Sequence, residues 1–187
     1  MRVIAGEFKG RSLEALHGFA TRPTADKVKE SLFNIIGPYI EADNVLDLYA
    51  GTGGLGIEAV SRGVKHAFMV DNNREATEII ENNVQTLGAE DRFTIINKSA
   101  DAAIQQLIQQ RASINLVFLD PPYAMEVIEE HLEVMLEGGL LSEHSGVVCE
   151  TSSDTVLPDE IGSLKKVRDL EYGKVRLSIY LNNFSQE

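Results

Sequence analysis

Val45-Leu46-Asp47-Leu48-Tyr49-Ala50-Gly51-Thr52-Gly53-Gly54-Leu55-Gly56 is a short apolar run that breaks into a glycine-rich turn and resumes as an amphipathic stretch through Ile57, Ala59 and Val60. The run reads as a buried strand, and the continuation as a helix whose first turn the glycines open. Glycines there permit positive φ and let the N–H groups of a helix start come close to a ligand. The next apolar run, 67–70, ends at Asp71, twenty residues after Gly51, where a carboxylate can accept from both hydroxyls of a ribose. Strand, glycine turn, helix, strand and acid are the opening unit of a doubly wound α/β sheet that takes an adenosine-bearing ligand at its switch point.

The glycine pattern alone also fits NAD or FAD. Asp47, four residues before Gly51, argues for something else. A carboxylate at that range repels a pyrophosphate but suits a sulfonium or ammonium cation. S-adenosylmethionine carries both cations and no phosphate, so Asp47 favours it, with capping of the loop's own amides as the alternative role for this side chain. No Lys-Ser or Lys-Thr follows the glycines, which excludes a P-loop. The candidate cofactor contacts are Asp47, Tyr49, Ala50, Gly51, Thr52, Gly53 and Gly56 around the loop, and Asp71 with its neighbour Asn72.

A third apolar run, 116–119, stops at Asp120-Pro121-Pro122-Tyr123. Neither proline can donate to a ladder, so the acid, backbone carbonyls and an aromatic ring project together from the strand end. That array suits a planar amino group: Asp120 and the Pro121 carbonyl accept its two hydrogens, and Tyr123 offers a face on which a base stacks. A strand-terminating turn is the plainer reading of the same four residues. The candidate catalytic set is Asp120, Pro121, Pro122 and Tyr123, with Asp120 also bordering the cofactor and Tyr123 also contacting substrate.

With these motifs the chain resembles the RsmD (YlbH-type) guanine-N2 methyltransferases of bacterial small-subunit ribosomal RNA. The resemblance runs through Arg2-Val3-Ile4-Ala5-Gly6, Lys9-Gly10-Arg11, Arg22-Pro23-Thr24, Phe33-Asn34, the glycine loop, Asp120 to Tyr123, and Tyr172-Gly173. It implies a Rossmann-like class I S-adenosylmethionine-dependent methyltransferase sheet, with a short N-terminal arm and a C-terminal antiparallel hairpin. It also implies a ribosomal RNA partner presented by an assembling small ribosomal subunit, and work in the bacterial cytoplasm. Arg2, Lys9, Arg11, Arg22 and Thr24 become candidate substrate contacts, placed near the active site by the resemblance. Ser99 and Ala100, after the third strand, fall where the superfamily touches adenine; the family often carries an amide at position 99, and Ser99 is otherwise read as a helix N-cap.

Composition bounds these readings. The 187 residues, 43% hydrophobic and 25% charged, suit one soluble domain with a full core, an arm over 1–22 and a Rossmann-like body over 23–187. One cysteine, Cys149, excludes internal disulfides, and it lies in an apolar strand rather than in a loop suited to nucleophilic attack. The four histidines show no metal-site spacing, so no metal is expected, and no apolar run reaches membrane-spanning length.

Charge runs against an RNA partner, because the net is −12. It is sorted along the chain. Residues 1–30 hold six Lys/Arg against four Asp/Glu, and a second basic group, Lys165, Lys166, Arg168, Lys174 and Arg176, lies near the C-terminus. Together these predict a basic rim on an acidic body. Strands are expected at 44–49, 66–71, 93–97, 116–119 and 146–150, followed by a hairpin turning at Gly173, with a helix N-capped by Thr24 preceding them. A DNA adenine-N6 methyltransferase, a nicotinamide oxidoreductase and a non-catalytic RNA-binding assembly protein remain as alternatives. Short connections count against the first, and Asp47 with the 120–123 set counts against the other two.

Overall fold

The computed structural model describes residues 1–16, 23–37, 40–122 and 125–182, giving only the backbone of 23–25 and 125–126. In chain order the elements are α1 (Pro23–Ile36), β1 (Asn44–Leu48), α2 (Gly54–Ser61), β2 (His66–Val70), α3 (Arg74–Leu87), β3 (Phe93–Ile96), α4 (Ala100–Gln109), β4 (Ile114–Leu119), α5 (Met125–Glu137), β5 (Leu141–Ser152), β6 (Glu160–Ile161), β7 (Leu164–Tyr172) and β8 (Val175–Asn182). Among the described residues eight strands form one sheet in the order β3-β2-β1-β4-β5-β8-β7-β6. The first five run parallel and the last three antiparallel to their neighbours. The chain works outward from β1 to β3 and returns to place β4 beside β1. The sheet therefore reverses there, opening a crevice beyond the carboxyl ends of β1 and β4.

Strands covered on both faces must be apolar throughout, as β1 and β4 nearly are. One face packs against α1, α2 and α3 through Phe33, Ile57, Val60, Ile80 and Val84. The other packs against α4 and α5 through Ile104, Leu107, Ile128, Leu132 and Met135.

Some elements differ from those predicted, and three of the differences have a physical reason. β5 begins at Leu141, not 146, because β4 pairs Ile114 with Leu141 and then Leu116 with Gly146. The surplus residues on β5 form a bulge in which His144 has φ 61°, and the polar run through it conceals the strand. β6, two residues long, is too short to leave a periodic signature. α1 begins at Pro23, the position proline favours in a first turn, so Thr24 lies inside the helix rather than capping it.

Residues 1–16 fold back along α2 as a docked hairpin, bridged between Arg2 and Ser12. Val3, Phe8 and Leu13 enter the core. Glu58, fully buried in α2, accepts from the N–H groups of Ile4 (2.8 Å) and Ala5 (3.1 Å) and pairs with Lys29 and Arg62. A buried carboxylate is tolerated when its charge and lone pairs are met in this way.

Candidate active site

The loop after β1 is shaped by close approach. A Cβ on Gly56 would collide with the Met69 sulfur and stand 3.2 Å from an Asp47 oxygen. Glycine alone lets the first turn of α2 settle against β1, where the Gly56 N–H donates to Asp47 Oδ2 at 3.0 Å. Gly51, at φ 59°, faces open space, with nothing within 4 Å of where its Cβ would stand. Its N–H donates to Asp71 Oδ2 at 2.9 Å, and Asp71 Oδ1 accepts from Asn73 at 2.9 Å. Each oxygen so engaged keeps a lone pair for another donor. Asn72 stands exposed beside it.

Asp71 and Asp120 stand just beyond the carboxyl ends of β2 and β4, and Asp47 and Glu150 lie near the carboxyl ends of β1 and β5. β4 and β5 pair Leu119 with Cys149, so Asp120 and Glu150 are the next residues of the two strands, and their carboxyls share a hydrogen bond. Alternation puts both on the same side of the sheet as Asp47, whose registered neighbours are Phe118 and Val148. Burial pushes Asp47 up to about 7 against the opposing Gly56 hydrogen bond, and Asp120, Asp71 and Glu150 raise it further. Desolvation likewise raises Asp120 and Glu150, and the neighbouring negative charge adds to the rise at Glu150. Two carboxyls so close titrate as a pair, and it is the ionisation of both together that is disfavoured.

Other placements are informative. Ser99 caps α4, its hydroxyl accepting from the Ala102 N–H at 3.2 Å, and Ala100 opens that helix. Tyr49, with φ 68°, donates its phenol toward His131 of α5 at 2.8 Å. Cys149 is buried and its thiol is pushed up to about 12 by desolvation, which leaves it inert as a nucleophile. Pro121 is buried and Pro122 exposed, whereas Arg22 and Tyr123 lie outside the described residues.

The expected substrate contacts separate. Met1 reaches Gly54 at the start of α2, so one end of the arm borders the glycine loop. Asn83 of α3 secures that end, accepting from Glu14 N–H (2.7 Å) and donating to the carbonyls of Glu14 (3.0 Å) and Thr52 (3.2 Å). Lys9 instead lines a groove with Gly63 at the far end of α2, and Arg11 donates to the Thr86 carbonyl at the far end of α3. Neither stands at the crevice. The C-terminal basic group divides too. Lys166 is enclosed by Asp159, Asp169 and the Leu157 carbonyl, and Arg176 is held by Asp169 and Glu171. Two of the five cations of the predicted rim are thereby paired, whereas Lys165 and Arg168 stand exposed on β7 and Lys174 lies at the hairpin turn beside the carboxyl end of β5.

A family model described as "Conserved hypothetical protein 95" matches residues 1–181. "Putative rRNA methyltransferase YlbH" of Bacillus subtilis is 41% identical over 96% of this chain and 98% of that protein. "Ribosomal RNA small subunit methyltransferase D" of Escherichia coli is 31% identical over 96% and 89%. The chain belongs to the RsmD/YlbH family. The solved structure of a putative methyltransferase from Escherichia coli superimposes with a TM-score of 0.84, at 30% identity over 98% of both chains. The shared fold is that of the class I S-adenosylmethionine-dependent methyltransferases.

The RsmD/YlbH crevice suits S-adenosylmethionine. Four carboxylates gather where a cationic ligand would neutralise them, Asp71 keeps lone pairs for a diol, and the open face of Gly51 admits a ligand against the backbone. Glu150 and Asn83 went unremarked in the sequence, and His131 was read only as one of four histidines without metal-site spacing. For Glu150 a signal existed, since it closes an apolar strand as Asp71 and Asp120 do.

Proposed function

We propose that this chain methylates the exocyclic N2 amino group of a guanine in 16S ribosomal RNA, using S-adenosylmethionine. The observation that carries the reading is the position of Asp120. Its carboxylate stands at the strand end bordering the switch point, adjoining the acids that surround the glycine loop. Guanine and its N2 atom follow from the family resemblance and from the fit of an acid and a proline carbonyl to a planar amino group.

When bound, the cofactor supplies a methyl group already activated on a cationic sulfur. Asp71 would hold the ribose, Asp47 and the amides of the glycine loop the rest of the cofactor. Asp120 and the Pro121 carbonyl orient the target amine by accepting its hydrogens, and alignment of this kind is worth about 7 to 11 kcal/mol in favourable cases. The proton released as the amine is methylated passes to the Asp120 carboxylate, with Glu150 beside it to share the charge. Asp120 acts late, because the nitrogen becomes acidic only once it carries the methyl group.

Asp71→Ala should weaken cofactor binding by about 1 to 3 kcal/mol, measured by calorimetry, because it removes an acceptor from the ribose and the partner of the Gly51 amide. An unchanged affinity would place the ribose elsewhere.

The deciding experiment transfers labelled methyl from S-adenosylmethionine to unmodified small-subunit particles, naked ribosomal RNA and DNA in parallel, followed by nucleoside analysis. A net charge of −12 makes binding to free RNA weak and strongly salt-dependent, so particles should be the best substrate, with N2-methylguanosine as product. Label in DNA adenine would instead make the chain an N6 methyltransferase.

A further inference from the structure

Tyr49 follows β1 directly, two residues before Gly51, and it carries a side chain at φ 68°, where residues with a Cβ are strained. Its backbone leads into the Ala50 N–H, which donates to the Val70 carbonyl at 2.8 Å, and the Gly51 N–H, which donates to Asp71. A relaxed Tyr49 would turn both amides away. Its phenol meets His131 Nε2 at 2.8 Å, and the two rings lie tilted at 36° with centroids 5.9 Å apart. On the other side of the imidazole, Nδ1 faces Asp101 Oδ1 at 3.4 Å. An ionised carboxylate only accepts, so Nδ1 carries the hydrogen and Nε2 receives the phenol O–H. His131 is 4% exposed, and its burial holds the ring below its ordinary range, hence neutral near pH 7.

The three residues come from three segments that border the crevice. Tyr49 precedes the glycine loop, Asp101 is the second residue of α4 after Ser99, and His131 lies in α5, the helix that follows 120–124. We propose that Asp101, His131 and Tyr49 form a positioning latch that holds the start of the glycine loop in its left-handed turn and ties it to the helix leaving the Asp120 segment. The cofactor loop and the segment that presents the target amine are thereby set by one set of contacts. None of the three touches the reacting atoms. The inference rests on the cofactor site proposed above.

The test is calorimetric titration of S-adenosylhomocysteine into the intact protein and into the Tyr49→Phe, His131→Ala, His131→Gln and Tyr49→Phe/His131→Ala variants, with thermal midpoints alongside. Tyr49→Phe and His131→Ala should each weaken binding about three- to tenfold, the size expected for one hydrogen bond. The double variant should be no weaker than the worse single one, and glutamine, whose side-chain oxygen can accept from the phenol, should recover most of the loss. Parental affinity in Tyr49→Phe, or losses that multiply in the double variant, would overturn the latch. If His131→Ala does not fold, Tyr49→Phe against His131→Gln gives the same decision. Absence of any binding by the unaltered protein removes the cofactor site first, and the latch with it.

Discussion

Replacing Asp120 with alanine is expected to slow methyl transfer by about 100- to 10,000-fold while leaving S-adenosylhomocysteine affinity within a few-fold. The asymmetry follows from where the carboxylate stands. It lies one residue beyond β4, outside the set of side chains that hold the glycine loop, and its hydrogen-bond partner is Glu150. In the proposed mechanism it orients the amine and takes its proton, so the loss falls on the rate. Glu150 cannot substitute, since it sits on the neighbouring strand and within the sheet. Single-turnover rates on ribosomal particles, with a calorimetric titration, test both halves. A near-parental rate would reduce residues 120–122 to a turn.

The second large effect concerns pH. Methyl transfer should fall as pH drops through about 6, because Asp120 takes the proton only when ionised and burial raises it to about 6. Glu150→Ala should move that acidic limb up, because it removes the hydrogen bond from Glu150 that holds Asp120 lower than burial alone would. Stability of the ligand-free protein should run the other way. Asp47 titrates near 3.8 when unfolded and at about 7 when folded, so its contribution is complete below pH 3.8 and is lost as pH rises toward 7. A cationic ligand relieves the loss. S-adenosylmethionine should therefore raise the thermal midpoint more at pH 8 than at pH 6, and S-adenosylhomocysteine, without the sulfonium, should show a smaller difference. Equal shifts for the two ligands at both values would mean that the carboxylates do not sense the sulfonium.

The placement of the arm bears on RNA recognition as well. The arm is tied down by Glu58, Ser61 and Asn83, and Lys9 and Arg11 stand at the far ends of α2 and α3. The family resemblance had placed these cations near the active site, and the hairpin instead carries Lys9 and Arg11 away from the glycine loop, to the ends of two different helices. This geometry reinforces the expectation that a folded particle completes the recognition surface.

Much of the architecture was legible because it is encoded over short spans. Apolar runs of strand length, the glycines at 51, 53 and 56, and an acid closing each run specify parallel strands with a ligand crevice at their carboxyl ends, since burial and φ preferences act within a few residues. Asp47, Asp71 and Asp120 were identifiable on that basis alone. Pairing was a different matter. Glu150 became the partner of Asp120 only through the β4–β5 register, which depends on a bulge at 142–145 that no local pattern announces. Tyr49 and His131 meet across 82 residues, and Asn83 and Glu14 across 69. Burial of Glu58 and neutralisation of Arg176 likewise arise from which face of a helix or strand is covered, and by what. The sequence by itself determined which residues could do chemistry and at which end of the sheet they stand. Only the tertiary structure decided which of them titrate together or share a hydrogen bond or a charge, because those energies fall off within a few ångströms and register sets distances on that scale.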